Sequence, residues 1–180
     1  LSKKADEALG PVYKTIDEKA TVNTARVMDS FAKHKVSDSL FGGTSGYGYD
    51  DRGRDTLDLI YADLFGAESA FVRHNIVSGT HALTIALFGI LRPGDILLSV
   101  TGKPYDTLDE VIGSHTKNGD GSLADFGVEY REVAMTADSR VDYPAVKKAI
   151  EDCGNKLKAV FFQRSKGYLN RKTLTTAEMK

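Results

Sequence analysis

Cysteine is almost absent from this sequence: one residue, Cys153, stands among 180. No internal disulfide can form, and a reduced compartment, the cytoplasm, is the expected location. Cys153 precedes Gly154 at an expected helix end with no histidine near it in sequence, so it reads as a structural thiol and not a nucleophile. An excess of either charge is also missing. The chain has 24 Lys plus Arg against 25 Asp plus Glu, which argues against nucleic acid or an anionic membrane as the main partner, since both select a basic surface. The N-terminus, LSKKADEALG, has no apolar signal core. The longest apolar run, residues 82–91, is broken by Thr84 and Gly89 and is far too short to span a bilayer. His34, His74, His81 and His115 show no metal-ligand spacing, and CxxC, HExxH, GxSxG and Walker A motifs are lacking. No metal site is therefore expected.

The rest of the composition is that of an ordinary globular chain, 41% hydrophobic and 27% charged, enough to build a core. Residues 2–36 place Val12, Ile16, Val22, Ala25, Val27, Met28, Phe31 and Ala32 at rough helical spacing. Gly10-Pro11 is predicted to break this helix in two. So few large side chains cannot form a core alone, and the arm is expected to pack on the main domain or a second subunit. Residues 41–55, FGGTSGYGYDDRGRD, make a Gly- and Tyr-rich loop of a kind that is often functional inside a compact chain. A helix is predicted over 54–65, with Leu57, Ile60, Tyr61, Leu64 and Phe65 on one face and Gly66 ending it.

An alternation follows. Strands are predicted at 69–73, 96–100, 128–133 and 157–162, the last of them buried. Helices are predicted at 79–91, 105–112 and 143–152, the last with Val146, Ala149 and Ile150 inward, and residues 114–125 form a polar loop. Strands alternating with helices predict an α/β layer fold built on βαβ crossovers, hence a mostly parallel sheet. Residues 1–53 are read as a helical arm and loop, and 54–180 as the first part of a larger domain. Thr175-Thr176-Ala177-Glu178 resembles the start of another helix, with Thr175 or Thr176 as cap, so the domain is expected to continue past Lys180.

Three segments carry chemistry. Val77-Ser78-Gly79-Thr80-His81 opens an apolar helix after an expected strand. Free N–H groups and the helix dipole there suit a phosphate, Gly79 allows close backbone approach, and the Ser78 and Thr80 hydroxyls add donors. The plainer alternative makes Ser78 an N-cap and nothing more. Tyr105 follows the 96–100 strand, on the edge where open α/β sheets collect ligands. Its ring is placed either to stack on a planar cofactor or to pack on its own loop. Tyr47, Tyr49, Arg52 and Arg54 combine phenols with guanidinium groups suited to phosphate. The same arginines can instead pair with Asp50, Asp51 and Asp55 as a solvated charge cluster.

Taken together, GYGYDD, VSGTHA and SVTGKPYDT, with FFQRSKGY further on, resemble the aluminium-resistance-protein family, also called methionine γ-lyase-like proteins. This family belongs to the Cys/Met-metabolism group of fold-type I pyridoxal-phosphate (PLP) enzymes. The resemblance spans nearly the whole chain. It implies a helical arm plus part of a fold-type I large domain, truncated at its C-terminus. It implies a phosphate cup at Ser78, Gly79 and Thr80, with Tyr105 stacked on the pyridine ring. Tyr49 with Arg52 is the preferred pair lent to a neighbouring subunit's cofactor phosphate, and Gln163, Arg164 and Ser165 line the pocket. The lysine that binds the cofactor covalently and the aspartate against its pyridine nitrogen are expected beyond this chain, because no lysine here, Lys103 and Lys166 included, has a matching context. The implied protein is a homodimer or homotetramer that eliminates across a carbon–sulfur bond of a sulfur amino acid. The alternatives are another PLP reaction such as aldol cleavage, or a non-catalytic cofactor-binding or interaction module. An unpaired sheet edge makes a stand-alone module the poorer choice.

Overall fold

The protein is seen in a computed structural model that describes residues 2–114 and 119–179. Residues 115–118 of the predicted 114–125 loop, His115 among them, lie outside the described residues. By its contacts the chain forms two compact units, Leu1–Asn75 and Ile76–Lys180.

The first unit is helical. Helix α1, Ser2–Lys33, runs without the break predicted at Gly10-Pro11. Proline removes one N–H and crowds the carbonyl four residues back. Here that stretch is exposed, so solvent can satisfy the freed carbonyl of Glu7, while Thr15 Oγ1 donates to the Pro11 carbonyl at 3.1 Å. Leu9, Val12, Tyr13, Ile16 and Val22 are exposed, and Ser30 alone is buried within α1.

Helix α2, Arg52–Phe65, begins where the Asp51 side chain accepts the Arg54 N–H at 3.0 Å and ends at left-handed Gly66. The two helices join through polar groups. Ser30 Oγ donates to Asp63 at 2.9 Å, Lys33 pairs with the same carboxylate, and Arg26 donates to the Leu64 carbonyl at 3.1 Å. The apolar face of α2 follows expectation only in part: Ile60 is buried and Leu64 half-buried as predicted, whereas Leu57, Tyr61 and Phe65 are exposed and Ala62 is buried. Helix α2 contacts α1 and the 3-10 turn Asp38–Leu40.

The strand predicted at 69–73 is absent. The Val72 N–H donates to Asp58 Oδ1 at 2.8 Å, and Arg73 grips both oxygens of that carboxylate at 2.7 and 2.9 Å. A side chain takes the donor that a sheet neighbour would need.

The second unit is the α/β layer. Its elements are α3 (Gly79–Ile90), β1 (Ile96–Ser99), α4 (Asp106–Ile112), β2 (Glu129–Glu132), α5 (Tyr143–Cys153) and β3 (Leu157–Phe161). The sheet order is β2-β1-β3 and both pairings are parallel. Central β1 is buried along its length, as its uninterrupted ILLS sequence requires. Edge strand β2 reads EYRE, with charges that discourage further pairing. A register shift between Ile96 and Leu97 lets β3 fit five residues beside the four of β1. Strand β3 is less buried than predicted, since Leu157, Ala159 and Phe161 are half-buried while Lys158 and Val160 are exposed.

The core joins Leu87 of α3, Leu91 just after it, Leu97 of β1, Leu108 and Ile112 of α4, and Leu123 and Val128, with Phe88, Ala159 and Phe161 against them. In α5, Val146 and Ala149 are half-buried as expected, but Ile150 is exposed and Cys153 is buried in its place. Thr175 and Glu178 form a reciprocal cap: Glu178 accepts from the Thr175 N–H at 2.7 Å, and the Glu178 N–H donates to Thr175 Oγ1 at 3.3 Å. The turn they start is a short 3-10 helix, Ala177–Met179.

The Asp58 cluster yields a prediction. Replacing Asp58 with Ala strands the Val72 N–H and the Arg73 guanidinium and should cost about 2 kcal/mol. The Arg73 hydrogen bond holds the Asp58 carboxyl below its ordinary 3.8. A depressed folded value means that this stabilisation is complete above 3.8 and is lost as pH falls through the lowered value. Urea midpoints taken across that acid range should fall in the parent protein through this group and lose that component in Asp58→Ala.

Candidate functional site

The chain leaves β1 through buried Ser99, Val100 and Thr101. It then turns at Gly102, whose φ of 74° favours glycine and whose N–H donates to the Val133 carbonyl at 2.9 Å. The turn delivers Tyr105 to the N-cap position of α4. The exit of β3 lies alongside. The Gln163 N–H donates to Thr101 Oγ1 at 3.0 Å, and Gln163 Oε1 accepts the Tyr105 N–H at 2.9 Å. The Gln163 amide nitrogen donates to the Ser165 carbonyl at 3.2 Å. Both strand exits are thus tied together at one edge of the sheet.

Arg171 fastens the same loop from behind. Its guanidinium donates to the Gln163 carbonyl at 3.0 Å, to the Ser165 carbonyl at 2.6 Å and to the Lys172 carbonyl at 3.1 Å. These acceptors are carbonyls, and burial pushes the Arg171 pKa down. The loop then turns at Gly167, at φ 55°, where an added Cβ would meet the Tyr105 ring at 3.2 Å. Beyond it the Tyr168 ring stacks on Tyr105, centroids 5.3 Å apart, and the two phenols hydrogen-bond at 3.0 Å. That bond, then burial, then the nearby Asp106 charge push the Tyr105 pKa up.

Helix α3 contributes its start. Ser78 is extended, at φ −157° and ψ 166°, and its hydroxyl accepts the His81 N–H at 3.0 Å. The Ala82 N–H makes the first bond of the helical ladder, to the Ser78 carbonyl at 3.1 Å. The N–H groups of Gly79 and Thr80 come before it and have no helical acceptor. An added Cβ on Gly79 would meet nothing within 4 Å. Thr80 Oγ1 reaches Thr107 Oγ1 at 2.9 Å, which joins the start of α3 to α4. A cleft of about 470 Å³ is lined by Thr80, Tyr105, Thr107, Gln163, Arg164 and Ser165, over an apolar floor that includes Phe161.

The structure therefore brings Thr80, Tyr105, Gln163, Arg164 and Ser165 to one cleft, with Ser78 and Gly79 leading into the helix that supplies Thr80. The expectation that this segment follows a strand fails with the missing strand at 69–73. The N-cap and the Thr80–Thr107 contact position the segment instead. Tyr49 and Arg52 belong to the first unit, where both are exposed. Arg54 folds back onto the Gly48 carbonyl at 2.9 Å and lies 3.5 Å from Asp55, while Asp51 caps α2. Sequence reasoning did not single out Thr107, Gly167, Tyr168 or Arg171. Gly-Tyr just after a strand exit is a usable signal for two of them, but the partners of Arg171 are backbone carbonyls that no side-chain pattern marks.

The parallel α/β layer thus carries a cleft at the carboxyl ends of its strands, with an apolar floor, polar groups and Tyr105 at its wall and the first turn of a helix beside them, the place where open α/β sheets collect ligands. Over residues 1–180 the chain matches the profile of the family described as methionine gamma-lyase, and it belongs to that family. It is 53% identical over 169 residues to the uncharacterized protein YnbB of Bacillus subtilis strain 168, covering 94% of this chain and 39% of YnbB. A candidate cystathionine β-lyase involved in aluminum resistance from Listeria innocua superposes with a TM-score of 0.92 at 46% identity, covering 98% of this chain and 42% of that one. A carbon–sulfur lyase involved in aluminum resistance from Clostridium novyi NT gives 0.91 at 38% identity, covering 98% and 41%. The chain spans about two-fifths of the length of these relatives.

Gly167 supplies a test of this geometry. In Gly167→Ala the left-handed backbone and the close Tyr105 ring both oppose the new methyl, so the variant should lose about 1–2 kcal/mol of stability. Near-ultraviolet circular dichroism should also report a displaced tyrosine pair.

Proposed function

We propose that this chain supplies the phosphate-holding and ring-facing part of a PLP-dependent carbon–sulfur lyase of fold type I. The observation that carries the reading is the convergence of Thr80, Tyr105 and Gln163 on one cleft in a member of the methionine gamma-lyase family. The residues suit the cofactor. The Gly79 and Thr80 N–H groups and the Ser78, Thr80 and Thr107 hydroxyls offer donors to a phosphate. Tyr105 presents an aromatic face for a planar ring. Tyr49 and Arg52 are assigned to the phosphate of a neighbouring subunit in a homodimer or homotetramer.

When bound, PLP stores the electron pair released at the substrate Cα and so permits elimination. The residues of this chain have narrower duties. Gly79 and Thr80 hold negative charge at the start of α3. Tyr105 keeps its phenolic proton over a wide pH range, because the Tyr168 hydrogen bond favours the neutral form. Gln163 fixes where Tyr105 leaves the backbone, and Arg164 and Ser165 border the space for substrate. Lys103 pairs with Asp109 at 3.0 Å, and Lys103 and Lys166 line a separate recess. The lysine that would bind the cofactor covalently is assigned to the remainder of the protein.

The names of the relatives support carbon–sulfur cleavage of a sulfur amino acid such as methionine or cystathionine. Aluminum resistance is a phenotype and specifies no reaction. Buried, free Cys153 suits a reduced, cytoplasmic setting. Among the described residues no helix is long and apolar enough to cross a membrane.

The full-length protein loaded with PLP should release a thiol, ammonia and a 2-oxo acid from such substrates. Release of an aldehyde instead would identify aldol cleavage and overturn the lyase assignment. Thr80→Ala, and separately Arg52→Ala, should weaken PLP binding by about 10-fold or more, the scale of a lost charge-assisted hydrogen bond. Equilibrium dialysis reads this directly.

A further inference from the structure

Tyr105 separates two recesses. The larger, about 470 Å³, is the cleft with Thr80 and Thr107. The smaller, about 180 Å³, is lined by Lys103, Pro104, Asp106, Lys166, Gly167, Tyr168 and Leu169. Their linings share Tyr105 and Gln163 and no other residue. Tyr168 thus lies on the far side of Tyr105 from Thr80, and its stacking leaves the larger cleft open.

Several independent features hold Tyr168 there. Gly167 takes a left-handed conformation, at φ 55°, that brings the next residue back over Tyr105. The missing Gly167 side chain leaves room for the Tyr105 ring, which an added Cβ would meet at 3.2 Å. Arg171 ties down the carbonyls of Gln163 and Ser165 just upstream. The resulting stack has a 27° interplanar angle and a phenol–phenol hydrogen bond of 3.0 Å.

We propose that Tyr168 is a positioning residue of the cofactor site: it backs the Tyr105 ring by stacking and hydrogen bonding, so that Tyr105 meets the cofactor with a fixed face. The inference rests on the PLP reading given above. Tyr168 does not touch the cofactor; it acts through Tyr105. The charged groups around the pair are Lys103, Asp106 and Lys166 in the smaller recess and Arg164 in the larger one.

The test uses the full-length protein and two variants. Tyr168→Phe keeps the ring and removes the hydrogen-bond acceptor, whereas Tyr168→Ala removes both. With ring-labelled tyrosine, NMR follows the Tyr105 phenol before PLP is added, and Tyr168→Phe should move its titration to lower pH. PLP dissociation constants are then measured. Tyr168→Phe should stay within about twofold of the parent, while Tyr168→Ala should bind roughly five- to tenfold more weakly, the scale of a lost aromatic pair. An unmoved Tyr105 titration in Tyr168→Phe, or parental PLP affinity in Tyr168→Ala, overturns the inference. A parent protein that takes up no PLP overturns the cofactor reading itself, an outcome distinct from a parent that binds and a Tyr168→Ala that binds equally well.

Discussion

The hydrogen bond from the Tyr105 N–H to the Gln163 side chain organises the functional edge of this molecule. It joins two strand exits that are 58 positions apart in sequence. Parallel pairing brings β1 and β3 side by side but does not fix the loops beyond them. Gln163 does so with both ends of its amide and with its own N–H, which binds buried Thr101. Without it, Tyr105 would sit on an untethered turn, and the wall of the cleft would lose its definition.

The supports of that clamp differ in kind. On the sheet side they are apolar: buried Leu97, Leu108 and Ile112 hold β1 against α4 and so set where α4 begins. On the loop side they are polar: the Arg171 guanidinium meets three carbonyls. A guanidinium spent on backbone carbonyls forgoes the stronger attraction of a carboxylate, but its rigid fork constrains several peptide units at once. Thr80 and Thr107 complete the arrangement by linking α3 to α4 across the cleft mouth. A ligand site made from the ends of rigid elements gains its geometry from the core behind it.

The sequence made the α/β layer legible because β1, α3, α4 and α5 carry apolar patterns separated by turn-forming residues such as Pro93-Gly94. Tyr105 was legible for a related reason, since a residue just past a buried strand must emerge on the ligand edge. The failures have physical causes. Residues 69–73 look like a strand by composition, but Asp58 takes the Val72 N–H. Gly10-Pro11 looks like a break, but an exposed helix can leave one carbonyl to solvent. Ile150 has helical spacing, but the side of α5 that is buried carries Cys153. Tyr168 was missed because its partner lies 63 positions away, and no periodicity links them.

The central claim is that the start of α3 and the Tyr105 ring together receive PLP. A crystal structure of the full-length protein with PLP bound tests it most directly. The account predicts the phosphate against the Gly79 and Thr80 N–H groups, and the pyridine ring against the Tyr105 face on the Thr80 side. A phosphate held elsewhere, or a pyridine ring lying in the recess beside Tyr168, would contradict it.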